Sequence, residues 1–190
     1  MSPAAPSPER AGASALFECL DQAHQHMRAE LLHMNRAVDS LMQGQLQPAG
    51  REQLQHAVHW FDTTAREHHL DEEKHVFPAL QASGDPQAVE AASRLRQDHG
   101  WIEQNWLEIG PLLSAVVNGN HWPEPEPLQE SVQLFTRLCL EHLALEESLA
   151  YPLARERLDA AALAAAGREM TERRKPRAAR QPPRRKPAKP

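Results

Sequence analysis

Little in this chain of 190 residues favours a sheet, a membrane span or a disulfide scaffold. Aromatic residues make up 5% of it, while Ala, Leu, Glu and Gln are plentiful, a balance that leans to helices. The cysteines are a single pair, Cys19 and Cys139, each set in a helical pattern. Two reduced, buried thiols are therefore expected, not a disulfide or a metal-binding pair. No apolar run follows a basic start and none is long enough to cross a bilayer. Neither a signal peptide nor a transmembrane segment is expected, and a cytoplasmic protein is. There is also no nucleotide-binding glycine loop and no reductase module, so any redox cycle must draw its electrons from outside.

What is present suffices for one globular domain, with 41% hydrophobic and 25% charged residues. The net charge of -5 hides an asymmetry. Residues 1–167 hold 11 Lys/Arg against 24 Asp/Glu, a balance of -13, and residues 168–190 hold 10 against 2, a balance of +8. An acidic body carries a basic tail.

Residues 1–13 have too little apolar content to fold and are expected to be disordered. The folded domain is expected over 14–157. Its first helix carries Leu16, Leu20, His24, Met27, Leu31, Met34, Val38 and Leu41 at spacings of four and three, one continuous buried stripe. Gly44 to Gly50, with Pro48, breaks it. The second helix carries Leu54, Val58, Phe61, Ala65, His68 and Glu72 and reaches Pro78, whose ring kinks or ends it. Ser83-Gly84-Asp85-Pro86 supplies a turn, an N-cap and a proline suited to the first helical position. The third helix shows Val89, Ala92, Leu95, His99, Ile102, Trp106, Ile109 and Leu113, with a bend expected at Gly110-Pro111. Residues 118–127 read as a loop. The fourth helix runs from about Leu128 through Leu134, Leu138, His142, Glu146 and Leu149 to a bend at Pro152. The fold class is all-α: an antiparallel up-down-up-down four-helix bundle, with a short fifth helix possible over the Ala-rich stretch 158–172. Residues 173–190, with nine basic residues, five prolines and no acid, are expected to be a disordered tail.

One stretch occurs twice. His68-His69-Leu70-Asp71-Glu72-Glu73-Lys74-His75-Val76-Phe77-Pro78 is matched by His142-Leu143-Ala144-Leu145-Glu146-Glu147-Ser148-Leu149-Ala150-Tyr151-Pro152. Both read H-x-x-x-E-E-x-x-x-(F/Y)-P. Positions i and i+4 of a helix lie one above the other, so each copy projects an imidazole and a carboxylate toward one neighbour. Those ligand types hold iron, zinc or manganese.

Antiparallel helices bring residues to one height when these are equidistant from the turn. The midpoint of His24 and His68 falls at 46, that of His68 and His99 at 83.5, and that of His99 and His142 at 120.5. Each midpoint lies in a turn. Four imidazoles, with Glu72 and Glu146, are thus expected at one level of the interior. A lone histidine on an apolar stripe is usually a hydrogen-bonded core residue, but four at one level with two carboxylates are not. Two carboxylates buried without partners would be costly or protonated, and metal cations remove that difficulty. Six ligands exceed the four that structural zinc takes. They fit two metals, each with two histidines, bridged by the two glutamates and a solvent-derived oxygen. Such a unit suits di-iron that meets dioxygen. Ferritin-type bundles use Glu-x-x-His, so the reversed order and longer spacing here mark a different lineage.

This layout on four helices, with an aromatic-Pro pair after each acidic pair, resembles the hemerythrin-like HHE cation-binding domain over roughly residues 15–157. The resemblance implies that His24, His68, Glu72, His99, His142 and Glu146 ligate a non-haem di-iron centre, oxo- or hydroxo-bridged and carboxylate-bridged through the two glutamates. The chain departs from the oxygen-carrying hemerythrins in having Glu103 four residues after His99, where those have a histidine, and Glu147 where those have an aspartate. It looks more like bacterial proteins that respond to nitric oxide or repair iron-sulfur clusters, and like eukaryotic iron sensors; the cysteine-bearing extension of the long repair proteins is not seen in these residues, and that activity is the less expected for it.

Other groups have plainer readings. His26 and Glu30 repeat the i, i+4 spacing off the stripe, on a solvated face. His69, His75, Glu73 and Glu147 stand behind the ligands or at the surface, with Glu147 the alternative to Glu146 as bridge. Glu103 is a direct ligand, a carboxylate behind one or an exposed charge. Met27, Ile102 and Trp106 are core. Tyr151 packs with Phe77, a redox-active phenol being the alternative.

The functional expectation is a di-iron protein that binds or senses O2 or handles iron. The alternative is a redox enzyme acting on peroxide or nitric oxide or in iron-sulfur cluster repair; no catalytic residue is assigned. A metal-free bundle that binds partners is the third reading. The tail adds weak electrostatic contact with nucleic acid or an anionic surface, or folds back on the acidic body.

Overall fold

The computed structural model describes residues 8–120 and 125–174, with side chains from Leu16 onward. The elements are helices α1 (Pro8–Met42), α2 (Pro48–His75), α3 (Phe77–Gln81), α4 (Pro86–Val117) and α5 (Pro125–Leu145), a π-helical segment (Glu146–Ala150), then α6 (Tyr151–Arg157) and α7 (Ala160–Arg174). No strand occurs among the described residues.

Residues 17–158 form one compact unit. Its contacts give the direction of each helix. Asn35 meets Thr136 and Asp39 meets Gln129, so α5 descends as α1 rises. Asp62 meets Trp106, Arg66 meets Glu103 and Glu73 meets His99, so α2 and α4 are antiparallel as well. The four long helices make the expected up-down bundle. A second unit joins residues 8–16 with residues 159–174, including α7, whose N-terminus Asp159 caps by accepting from the Ala162 N–H at 2.7 Å.

Local chemistry explains the helix ends. Gly44 (φ 66°) and Gly119 (φ 79°) adopt the left-handed conformation that closes a helix. After α1, Gly44 N–H donates to Leu41 O and Gln45 N–H to Ser40 O; after α4, Gly119 and Asn120 repeat the pattern on Val116 and Ala115. The Arg51 guanidinium also donates to the Val116 and Val117 carbonyls, satisfying acceptors that the helix leaves open. Asp85 caps α4 through the Gln87 N–H at 3.0 Å, with Pro86 in the first turn.

Several boundaries differ from expectation. Helix α1 starts at Pro8, inside the stretch 1–13 expected to lack structure; Pro8 suits a first turn and Ala11, Ala13 and Ala15 are strong helix formers. Residues 1–7 lie outside the described residues, as do residues 175–190 of the basic tail. Gly50 lies within α2, and α5 starts at Pro125, because prolines are tolerated in a first turn where no backbone donor is needed. The buried face of α5 runs through Leu128, Val132, Phe135, Cys139, His142 and Leu143, and Leu134 is exposed, as is Val89 on α4. Measured from His142 at about 100° per residue, Leu134 lies about 80° around the helix, whereas Phe135 is 20° away.

The apolar core fills the half of the bundle toward the 43–47 loop, with Phe61, Trp106 and Phe135 in mutual ring contact (centroids 4.9–5.5 Å) two turns from the histidines. Both cysteines are free thiols, Cys139 buried and Cys19 half-buried. No described helix is long and apolar enough to cross a membrane.

Candidate metal centre

His24 on α1, His68 and Glu72 on α2, His99 on α4, His142 on α5 and Glu146 in the π segment are all buried and converge. Each falls on the stripe that packs its helix against the others, so burying the apolar neighbours places these polar groups at the centre.

The carboxylates lie between two imidazole pairs. Glu72 turns Oε1 toward His68 Nε2 (3.5 Å) and His24 Nε2 (3.8 Å), and Oε2 toward His99 Nε2 (3.3 Å). Glu146 turns Oε2 toward His24 Nε2 (3.2 Å), and Oε1 toward His142 Nε2 (3.1 Å) and His99 Nε2 (3.8 Å). Two overlapping sets result, His24-His68-Glu72-Glu146 and Glu72-His99-His142-Glu146, with one donor atom of each member of a set within 4.8 Å of the rest. Both sets share both glutamates.

Charge holds this cluster more than hydrogen bonding does. His68 Nε2, His99 Nε2, His142 Nε2, Glu72 Oε2 and both Glu146 oxygens are buried without a hydrogen-bond partner. Atoms left so are costly unless something else occupies the space between them, and a cation does that. Burial opposes protonation of His24 and His99, yet Glu146 and Glu72 hold both imidazoles up at about 10. Burial opposes it for His142 too, which Glu146 and Asp98 hold up at about 9. His68 is pushed down to about 4 by burial. Burial and the carboxylates' mutual repulsion work against ionisation of Glu72 and Glu146, but the surrounding imidazoles prevail and both stay below the usual carboxylate range. Protons thus stand where metal cations would.

The second glutamate of each copy grips a histidine from another helix. Glu73 Oε1 accepts from His99 Nδ1 at 2.9 Å, and Glu147 Oε1 from His24 Nδ1 at 2.8 Å. Arginines hold these carboxylates in turn. Arg28 donates twice to Glu147 (2.8 and 2.7 Å) and lowers its pKa, while Arg96 lies 3.9 Å from Glu73. A carboxylate on Nδ1 fixes the ring and presents Nε2 to the centre, the usual arrangement behind a metal-bound histidine.

The sequence profile of the hemerythrin HHE cation binding domain matches residues 15–172. The chain belongs to this family. An uncharacterized protein of Haemophilus influenzae is 28% identical over 121 residues, 64% of this chain and 67% of that protein. The family binds metal cations, and the buried His/Glu cluster of this hemerythrin domain fits such a site.

All six residues expected from the sequence meet. Glu103 does not join them: it is half-exposed at 52% and paired with Arg66 at 2.9 Å, because the residue four beyond His99 has rotated toward the surface. Glu147 lies behind His24 and does not take the bridge position of Glu146. His26 is exposed, and Glu30 is paired with His33 at 3.2 Å.

Tyr151 is the residue that sequence reasoning placed wrongly. It does not pack as a partner of Phe77; its ring stacks on His24 (centroids 5.1 Å) and meets Phe17 edge-on, while Phe77 lies against His99. The Tyr151 hydroxyl lies 2.8 Å from His24 Nε2 and donates to Glu72 Oε1. Burial, with Glu72 next, raises its pKa well above the ordinary value. In an uninterrupted α-helix Tyr151 would lie about 140° around from Glu146. The π segment closes with Tyr151 N–H on Glu146 O, five residues back, and that wider turn brings the side chain onto the site. The doubled aromatic-Pro pair was legible; the wide turn was not.

Proposed function

We propose that this hemerythrin domain holds two iron ions in its bundle core and uses them to bind or sense O2, or to handle iron. His24 and His68 would ligate one ion, His99 and His142 the other, with Glu72 and Glu146 bridging. The observation that carries this reading is the disposition of the two glutamates, each turning one oxygen to each imidazole pair. A mononuclear site needs no such division. Imidazole-rich ligation with two carboxylates offers fewer anionic donors than ferritin-like sites, which disfavours strongly oxidised iron and supports binding over oxygenation. When bound, the iron supplies the electrons and the open coordination position for the small oxidant. The chain's own residues hold the ions, fix the ring orientations through Glu73 and Glu147, and exclude bulk water.

The Tyr151 hydroxyl favours a second reading, a redox enzyme acting on peroxide or nitric oxide. A phenol hydrogen-bonded to Glu72 can pass its proton to that carboxylate as it loses an electron to the site. Stopped-flow spectroscopy of the reduced protein separates the two. A reversible O2 adduct supports binding, whereas catalytic consumption of peroxide or nitric oxide supports the enzyme. Elemental analysis after expression in iron-replete cells is expected to find close to two irons per chain, and stoichiometric zinc would count heavily against the proposal. Glu72→Ala and Glu146→Ala should each lose the bridged centre, while Glu30→Ala should leave it intact. If Glu72→Ala kept both irons and unchanged near-ultraviolet bands, the bridge would be wrongly placed. A cytoplasmic location, and weak salt-sensitive attachment of segment 173–190 to nucleic acid, belong to the same reading and rest on composition.

A further inference from the structure

The two copies of the repeated motif differ at two positions beside the centre. Where the first copy has His69 the second has Leu143, and where the first has Phe77 the second has Tyr151. The structure puts each difference beside a different imidazole pair. Tyr151 reaches His24. His69 goes to the other side, its ring parallel to that of His99 (centroids 4.0 Å, 14°) and 5.7 Å from that of His142.

One nitrogen from each of His69, His99 and His142 lies within 4.8 Å of the other two, and all three residues are buried. His69 Nε2 has no hydrogen-bond partner. Stacking on His99 does not account for that nitrogen, since an apolar ring would stack without leaving a buried acceptor unpaired. A cavity of about 320 Å³ between α2 and α4 is lined by His69 and His99 together with Phe61, Ala65, Ile102 and Trp106. The carboxylates of Asp62, Glu73 and Glu103 also line it, but each is engaged, by Trp106, His99 and Arg66 respectively, whereas His69 Nε2 is not.

We propose that His69 is a seventh ligand, a third imidazole on the metal held by His99 and His142. This rests on the two-metal reading above. The two halves of the site are then unequal in donors: three imidazoles on the cavity side, two on the Tyr151 side. A cation on the cavity side gives the orphaned nitrogen its partner. Leu143, buried at the equivalent place of the second copy, offers no donor to the other metal.

The test is a cobalt(II) titration of the metal-free full-length chain, followed by absorbance and by proton NMR of the shifted, exchangeable imidazole N–H resonances. The unsubstituted protein is expected to take two cobalt ions and to show one such resonance for each of His24, His68, His99, His142 and His69. His69→Leu, which installs the side chain of the other copy, should keep one tight ion, weaken the other by at least ~10–100-fold, and lose one resonance. Two cobalt ions in the unsubstituted chain without a resonance that disappears in His69→Leu, and with equal affinities in both proteins, would overturn the assignment of His69 and leave the two-metal reading standing. Fewer than two cobalt ions in the unsubstituted chain would overturn that reading and the seventh ligand with it. The resonance count of the unsubstituted protein decides the matter even if the variant folds poorly.

Discussion

At the scale of single residues, the doubled Glu-Glu pairs divide their labour. Glu72 and Glu146 face inward; Glu73 and Glu147 each take the Nδ1 of a histidine on another helix. Removing the outer charge while keeping its shape should therefore act on metal affinity and not on folding. Glu147→Gln and Glu73→Gln are expected to lower metal affinity ~10–100-fold, with circular dichroism of the metal-free proteins unchanged. Competition with a chelator measures this, and wild-type affinity in both variants would remove the outer carboxylates from the account. Protonation makes a second prediction. His24 and His99 are held up at about 10 and His142 at about 9, all above the ordinary 6.5, so the metal-free site carries these protons at neutral pH and sheds them as pH rises through 9 and 10. A ligating imidazole must give up its proton, so metal uptake at pH 7 should release protons and apparent affinity should rise with pH. Calorimetric heats that are equal in buffers of different ionisation enthalpy would contradict this.

At the scale of elements, the site depends on where helices start and how tightly they turn. Asp85 fixes the beginning of α4, and hence the phase of His99, by capping Gln87 while pairing with Arg157 of α6 at 2.9 Å. Asp85→Ala should destabilise the protein by about 1–2 kcal/mol, most of it the lost cap, since a partly exposed ion pair adds little. Urea unfolding of the metal-free protein reads this directly; an unshifted midpoint would mean that water serves the Gln87 N–H equally well. The π segment acts on the other side of the site. It lets one helix carry both Glu146 and Tyr151 to the centre, which the 3.6-residue turn alone does not permit.

At the scale of the whole molecule, charge is unevenly spread, -13 over residues 1–167 against +8 over 168–190. Segment 173–190 has no apolar residue larger than alanine or proline, so any contact it makes is electrostatic. Titrating fluorescent duplex DNA with the full chain and with a chain ending at Glu172 is expected to show micromolar or weaker binding by the full chain only, falling steeply with salt as counterion release requires. Equal binding by both chains, or none at low salt, would leave the segment as a spacer or solubility element, and binding only to anionic vesicles would assign it to a surface.

The sequence by itself determined the all-helical class, the antiparallel order of the four long helices and the convergence of six His and Glu side chains. Periodicity, turn residues and equal distance from the turns are properties of the chain that a regular helix preserves from one end to the other. His24, His68, His99 and His142 could be placed at one height because 3.6 residues per turn and a short loop leave little freedom. What only the tertiary structure decided lies where that regularity stops or where rotation about the helix axis matters. Tyr151 came to the centre through a wide turn that no residue pattern announces. Glu103 was turned to the surface against Arg66, and His69, next to a ligand in sequence, came to rest on His99 of a different helix. Sequence spacing sets height along a bundle, but packing between helices sets which way a side chain faces.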